Sequence, residues 1–133
     1  MSRKQVELNE VTLSFAPVRH YVEAYAVRVR SQSATLAYSG DSAPCESLVH
    51  LARDSDLFLC EASLAANEEP EPRGHSSARE AGEMAAAAGA LALALTHYPA
   101  EQSTDALREN AARAYAGPIT VVDDGTELGI TRG

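Results

Sequence analysis

Asp41 and the four histidines are the residues of this chain best placed, by type and position, to do chemistry. Asp41 lies in Tyr38-Ser39-Gly40-Asp41-Ser42, just past a strand read over residues 34–38. In open α/β sheets ligands bind outside the carboxyl ends of strands, and a glycine there allows a sharp turn close to the ligand. His97 directly follows the apolar run 91–95, where an imidazole either binds a ligand or caps the next helix. Taken singly, His75 in Gly74-His75-Ser76-Ser77 reads as a surface loop residue and His20, after Pro17, as an exposed strand end. His50 falls on the polar side of a short helix and reads as surface. Glu61 closes a short buried strand, from which it either orients a histidine or faces solvent.

Taken together, imidazoles and a carboxylate suit Zn²⁺, and also Mn²⁺ or Fe. A carboxylate shared by two cations offsets their repulsion. Metal-bound water, its pKa lowered to about 7, supplies hydroxide as a nucleophile near neutral pH. A further histidine off the metal can steady an oxyanion or protonate a leaving group.

The elements that must position these groups are legible in order. Residues 5–16 alternate in two phases, Val6 and Leu8 and then Val11, Leu13 and Phe15. The slip across Asn9-Glu10 marks a turn or bulge. Residues 24–30 alternate strongly, with Tyr25, Val27 and Val29 on one face, and short connections predict an antiparallel meander ending at Tyr38. Beyond Asp41 helix and strand alternate. A short helix buries Leu48, Val49, Leu51 and Ala52, and a strand covers 57–60. A polar loop rich in Pro and Glu fills 66–74. Ser76 or Ser77 caps a helix that stops at Gly89, with Glu80 as the capping-box partner of Ser77. A strand over 91–95, a helix over 103–115 and two last strands, 119–122 and 127–130, complete the order βββ-αβ-αβ-α-ββ, an α/β layered fold.

At 133 residues and 45% hydrophobic content, one domain with a modest core is expected, resting on Val, Leu and Ala because there is no Trp and few other aromatics. A net charge of −8 disfavours a non-specific grip on RNA or DNA, which needs Lys and Arg to displace counterions. No apolar run approaches the about 20 residues needed to span a bilayer, the first residues are polar, and Cys45 and Cys60 form no CxxC pair. A reduced, cytoplasmic protein without a membrane partner is the expectation.

Five segments then carry a resemblance: His20-Tyr-Val-Glu-Ala-Tyr-Ala-Val-Arg-Val, Tyr38-Ser-Gly-Asp41-Ser, Cys60-Glu61-Ala-Ser, Gly74-His75-Ser-Ser and Leu95-Thr-His97. In their order and spacing they resemble the metallo-β-lactamase superfamily, and within it the ribonuclease Z-like metal-dependent hydrolases. The resemblance implies that His20, Asp41 and His97 are metal ligands, with Asp41 bridging two zinc ions. It further implies that His75 is a catalytic histidine off the metal near the scissile phosphate, and that Glu61 supports the site.

The family's His-x-His-x-Asp-His motif occurs nowhere in these residues. The resemblance therefore implies the C-terminal half of an αββα sandwich, a partial domain over residues 1–133. It would belong to a zinc-dependent phosphodiesterase or similar hydrolase, and the half on its own is expected to be inactive. The link from His20 to Asp41 is too short to hold a tRNA-gripping arm, which favours small phosphodiester or ester substrates over RNA. The alternative is a truncated, non-catalytic structural or partner-binding module, held by self-association or by a complementary N-terminal half.

Overall fold

The computed structural model describes residues 4–66 and 69–131. Its sheet has seven strands in sequence order: β1 Lys4–Leu8, β2 Val11–Pro17, β3 Tyr25–Arg30, β4 Thr35–Tyr38, β5 Leu57–Glu61, β6 Leu93–Thr96 and β7 Ile119–Val121. The first four pair antiparallel and the last four parallel. Short links permit the meander, whereas each parallel step needs a helix to carry the chain back. Those helices are α1 Glu46–Ala52, α2 Ala78–Ala88 and α3 Thr104–Ala112. They form one layer, with α2 packed against both α1 and α3.

The phase slip at Asn9-Glu10 is a full hairpin turn with Asn9 at φ 53°, so what reads as one interrupted strand is two. At the other end the order departs from expectation. Residues 127–130 form no strand, and the sheet ends at β7. Their alternation of Leu128 and Ile130 with Glu127 and Gly129 has no neighbouring strand to receive it. Leu128 stays exposed. A period-two pattern makes a strand only where a partner takes up its backbone donors and acceptors.

Small side chains let the helix layer sit close on the sheet. Ala26, Ala37, Phe58, Cys60, Leu93 and Leu95 meet Leu48, Leu51, Ala81, Met84, Ala85 and Leu107, all in one buried cluster. The capping box on α2 is formed as read, Ser77 accepting from the Glu80 backbone while the Glu80 side chain reaches back, and Gly89 ends the helix in the left-handed region. Arg28 contributes something the alternation alone does not show. It donates to the carbonyls of Leu51 and Arg53 at 2.7 and 2.8 Å, tying the end of α1 to β3.

The opposite face of the sheet carries Val6, Leu13, Phe15, Val27, Val29, Leu36, Tyr38 and Leu59 in register across five strands. These side chains are only partly buried or exposed, and no described helix lies over them.

Candidate metal centre

Three loops at the carboxyl edge of β4, β5 and β6 are laced together by backbone and serine hydrogen bonds. A bridge between Arg19 and Ala43 joins the loop before β3 to the loop after β4, with Ala43 N donating to Arg19 O at 2.8 Å. Arg19 N also donates to Ser42 Oγ at 3.2 Å, which brings His20 beside Asp41. From the third loop, Ser76 Oγ donates to Ser42 O at 2.7 Å, while Leu64 N donates to Ser76 O at 3.1 Å. His75 is thereby fixed next to the same turn. Gly40 sits at φ 59° in that turn, a conformation in which a side chain is strained.

The structure gathers all the sequence-assigned residues into this edge, apart from the surface residue His50, which pairs with Glu46 on α1. Asp41, His75 and His97 each offer a ligand atom, and these atoms lie within 4.8 Å of one another. His97 Nδ1 is 3.0 Å from Asp41 Oδ1, and His20 Nε2 is 4.0 Å from Asp41 Oδ2. The imidazoles form a row, His20 to His75 at 5.1 Å and His75 to His97 at 5.8 Å between ring centroids, each pair edge to face. His97 holds φ 51°, unusual for a residue that is not glycine. Such strain persists where the surroundings over-determine it, and it clusters at functional sites.

Glu61 is the hub. Its carboxylate is 1% exposed and every partner around it is a donor. Oε1 accepts from Ser42 N at 2.9 Å and faces His75 Nδ1 at 2.7 Å. Oε2 accepts from Ser63 N at 3.1 Å, from Ser76 N at 3.2 Å and from the Ser63 hydroxyl. Because a carboxylate only accepts, His75 carries its proton on Nδ1 and presents the Nε2 lone pair to the cluster. His20 is set the same way by the Gly74 carbonyl, 2.8 Å from its Nδ1. An oxygen acceptor behind an imidazole is the usual support for a metal-binding histidine. The Nε2 of His20, the imidazole of His97 and the carboxylate of Asp41 between them are a donor set that fits a divalent cation such as zinc.

Three contributors escaped the sequence reading. Glu69, within the polar loop, accepts from Tyr21 Oη at 2.6 Å, from His75 N at 2.8 Å and from Gly74 N. The hydroxyl of Tyr21 above all, with the two backbone donors, holds the Glu69 carboxyl down at about 2 against the cost of its partial burial. Tyr21 lies 4.8 Å from the His20 ring and 5.5 Å from the His75 ring. Gly74 lets them meet, since a Cβ there would come within 2.7 Å of Tyr21 Cζ and 2.8 Å of His20 Nδ1. The only sequence signal among the three was Gly74 itself, beside His75. Arg73, paired with Glu80 at 2.8 Å, anchors this loop to α2. Cys60, by contrast, is buried with its thiol pushed up by desolvation, and is core rather than nucleophile.

A single layer of helices thus covers a mixed sheet, and imidazoles and a carboxylate converge at its strand ends. A family description, Beta-lactamase superfamily domain, matches residues 2–98, and the chain belongs to that superfamily. Among its relatives, the chain is 41% identical over 118 residues to the uncharacterized protein Rv1339 of Mycobacterium tuberculosis, covering 88% of this chain and 43% of that protein. Ribonuclease Z of Myxococcus xanthus is 42% identical over 95 residues, 68% of this chain and 31% of that enzyme. The crystal structure of the metallo-beta-lactamase fold protein YhfI from Bacillus subtilis superposes with a TM-score of 0.86 at 30% identity, covering 92% of this chain and 50% of that one. The chain thus spans half or less of the length of each of these three proteins. Among the described residues no helix is long and apolar enough to cross a membrane.

Proposed function

We propose that this chain is the Asp41-bearing half of a zinc-dependent hydrolase of phosphodiesters or related small esters, with Mn²⁺ or Fe as possible substitutes for zinc. The observation that carries this reading is the convergence of Asp41, His75 and His97 donor atoms within 4.8 Å, with His20 alongside. Asp41, His20 and His97 would hold the metal, with His75 beside them off the metal. A bound divalent metal supplies Lewis acidity toward a phosphoryl oxygen. The chain's own groups supply positioning and a proton. Glu61 holds the Nδ1 proton of His75, so that its Nε2 is the atom that can accept a proton and return it to a leaving oxygen. The Gly74 carbonyl orients His20, and Glu69 braces the Gly74-His75 backbone.

Ribonuclease Z among the relatives supports a phosphoester substrate, while the net charge of −8 favours a small one over RNA. The open face of the sheet supports a partial domain. Half-exposed apolar side chains in register across five strands are what one layer pair of an αββα sandwich shows without the other. Two free cysteines accord with a reduced, cytoplasmic setting. The test is zinc uptake by the purified chain, compared with Asp41→Ala. Uptake by the parent chain and its loss in the variant are expected. Equal uptake would refute the role of Asp41.

The same open face favours a second reading, a non-catalytic module completed by self-association or by a complementary half. No zinc uptake, and no hydrolysis of an aryl phosphodiester with zinc or Mn²⁺ even with a complementary half present, would decide for it.

A further inference from the structure

Tyr21 is a large aromatic side chain left 53% exposed, yet it is held from both ends. Its hydroxyl donates to Glu69 Oε2 at 2.6 Å, and Glu69 is itself fixed by the backbone of Gly74 and His75. Its ring lies over Gly74, where a Cβ would approach Cζ to 2.7 Å, and leans at 38° on the His20 ring, 4.8 Å away. The centroid of His75 is 5.5 Å from that ring, and His97 lies 5.8 Å beyond His75. An exposed aromatic normally keeps its rotamers, and fixing one has an entropic cost. Here three separate contacts hold the ring one imidazole away from the donor cluster. Val22, the next residue, is still more exposed.

We propose that Tyr21 is a specificity-determining platform on which a planar ring of the substrate's alcohol portion stacks while the phosphate occupies the Asp41–His75–His97 cluster. The proposal rests on the phosphoester reading above and adds the substrate class, phosphate esters carrying an aromatic ring. The spacing supports it. A phosphate at the cluster lies beside His75, and a substituent extending past that imidazole arrives at Tyr21. Stacking on an aromatic side chain tolerates any planar ring but loses most of its worth with a puckered one. Glu69 and Gly74 give the platform its fixed angle, so little ordering remains to be done on binding.

The experiment titrates the zinc-loaded chain with phenyl phosphate and with cyclohexyl phosphate, which have the same number of carbons but differ in planarity. The parent chain is expected to prefer phenyl phosphate by about fivefold or more. Tyr21→Leu should bring the ratio of affinities close to one, and Tyr21→Phe, which keeps the ring, should retain most of it. A tyrosine that only wedges the two histidines would change both affinities together and leave the ratio unmoved. Equal binding of the two esters by the parent chain overturns the platform while leaving the site intact. So does a preference that survives Tyr21→Leu. If neither ester binds the zinc-loaded chain, the phosphoester reading fails and the platform with it. Should Tyr21→Leu not fold, the ratio in the parent chain, set beside Tyr21→Phe, still decides.

Discussion

Replacing Glu61 tests the centre most directly, because one buried carboxylate there accepts from two loops, the one after β4 and the one after β5. In Glu61→Gln the side chain keeps its size but one oxygen becomes a donor. Oε2 has three donors around it and Oε1 two, so the amide oxygen takes the Oε2 side. The NH₂ then faces Ser42 N and His75 Nδ1. His75 can adapt by moving its proton to Nε2 and accepting on Nδ1, whereas the Ser42 amide cannot adapt. One buried, unsatisfied N–H costs about 2 kcal/mol. Glu61→Ala strands both Ser42 N and Ser76 N and should cost about 4 kcal/mol, a large share of the about 5–15 kcal/mol typical of a domain. Denaturant unfolding measures both losses, and long-range ¹H–¹⁵N correlation on the imidazoles reads the tautomer. The Nε2 lone pair of His75 should disappear from the Glu61→Gln spectrum. Unchanged stability together with an unchanged His75 tautomer would refute the assignment of Glu61 as the hub.

Other outcomes follow from neighbouring contacts. Gly74→Ala drives a methyl into Tyr21 and His20, and should lower stability by about 2 kcal/mol and weaken zinc binding, as read by thermal unfolding and metal titration. His97→Gly relieves the backbone at φ 51°; stability should hold or rise by up to about 1 kcal/mol while zinc uptake falls. Glu69 is depressed to about 2, so the unfolded chain binds its proton more readily. Its contribution is fully present above the ordinary carboxylate range and fades as pH falls through that range toward about 2. Glu69→Gln should flatten this acid limb in pH-dependent unfolding, and an unaltered limb would show that another group sets it.

Much of the scaffold could be read without coordinates because it obeys short-range rules. Tyr25, Val27 and Val29 alternate with Ala26 and Arg28 because successive side chains of a strand point to opposite faces, although it is Ala26, not the valines, that the helices cover. Ser77, Glu80 and Gly89 mark both ends of α2 because exposed helix ends need caps. Those rules also placed Asp41, Glu61 and His97 at strand ends, and the family resemblance supplied the roles expected for them and for His20 and His75. The same rules failed at residues 127–130, where alternation is present and no neighbouring strand receives it.

What the amino-acid order determined by itself was the set of elements and the identity of the chemical groups, since both depend on neighbours a few residues apart. Tertiary structure alone decided that those groups meet. The bonds that gather the site span 14 to 56 residues of chain, among them Glu61 to His75, Ser42 to Ser76, His20 to Gly74 and Asp41 to His97. No periodicity marks such pairs. Tyr21 and Glu69 became part of the centre only there, 48 residues apart and joined by one hydrogen bond. The tautomers of His20 and His75, on which the chemistry depends, are likewise fixed by acceptors that only folding brings into reach.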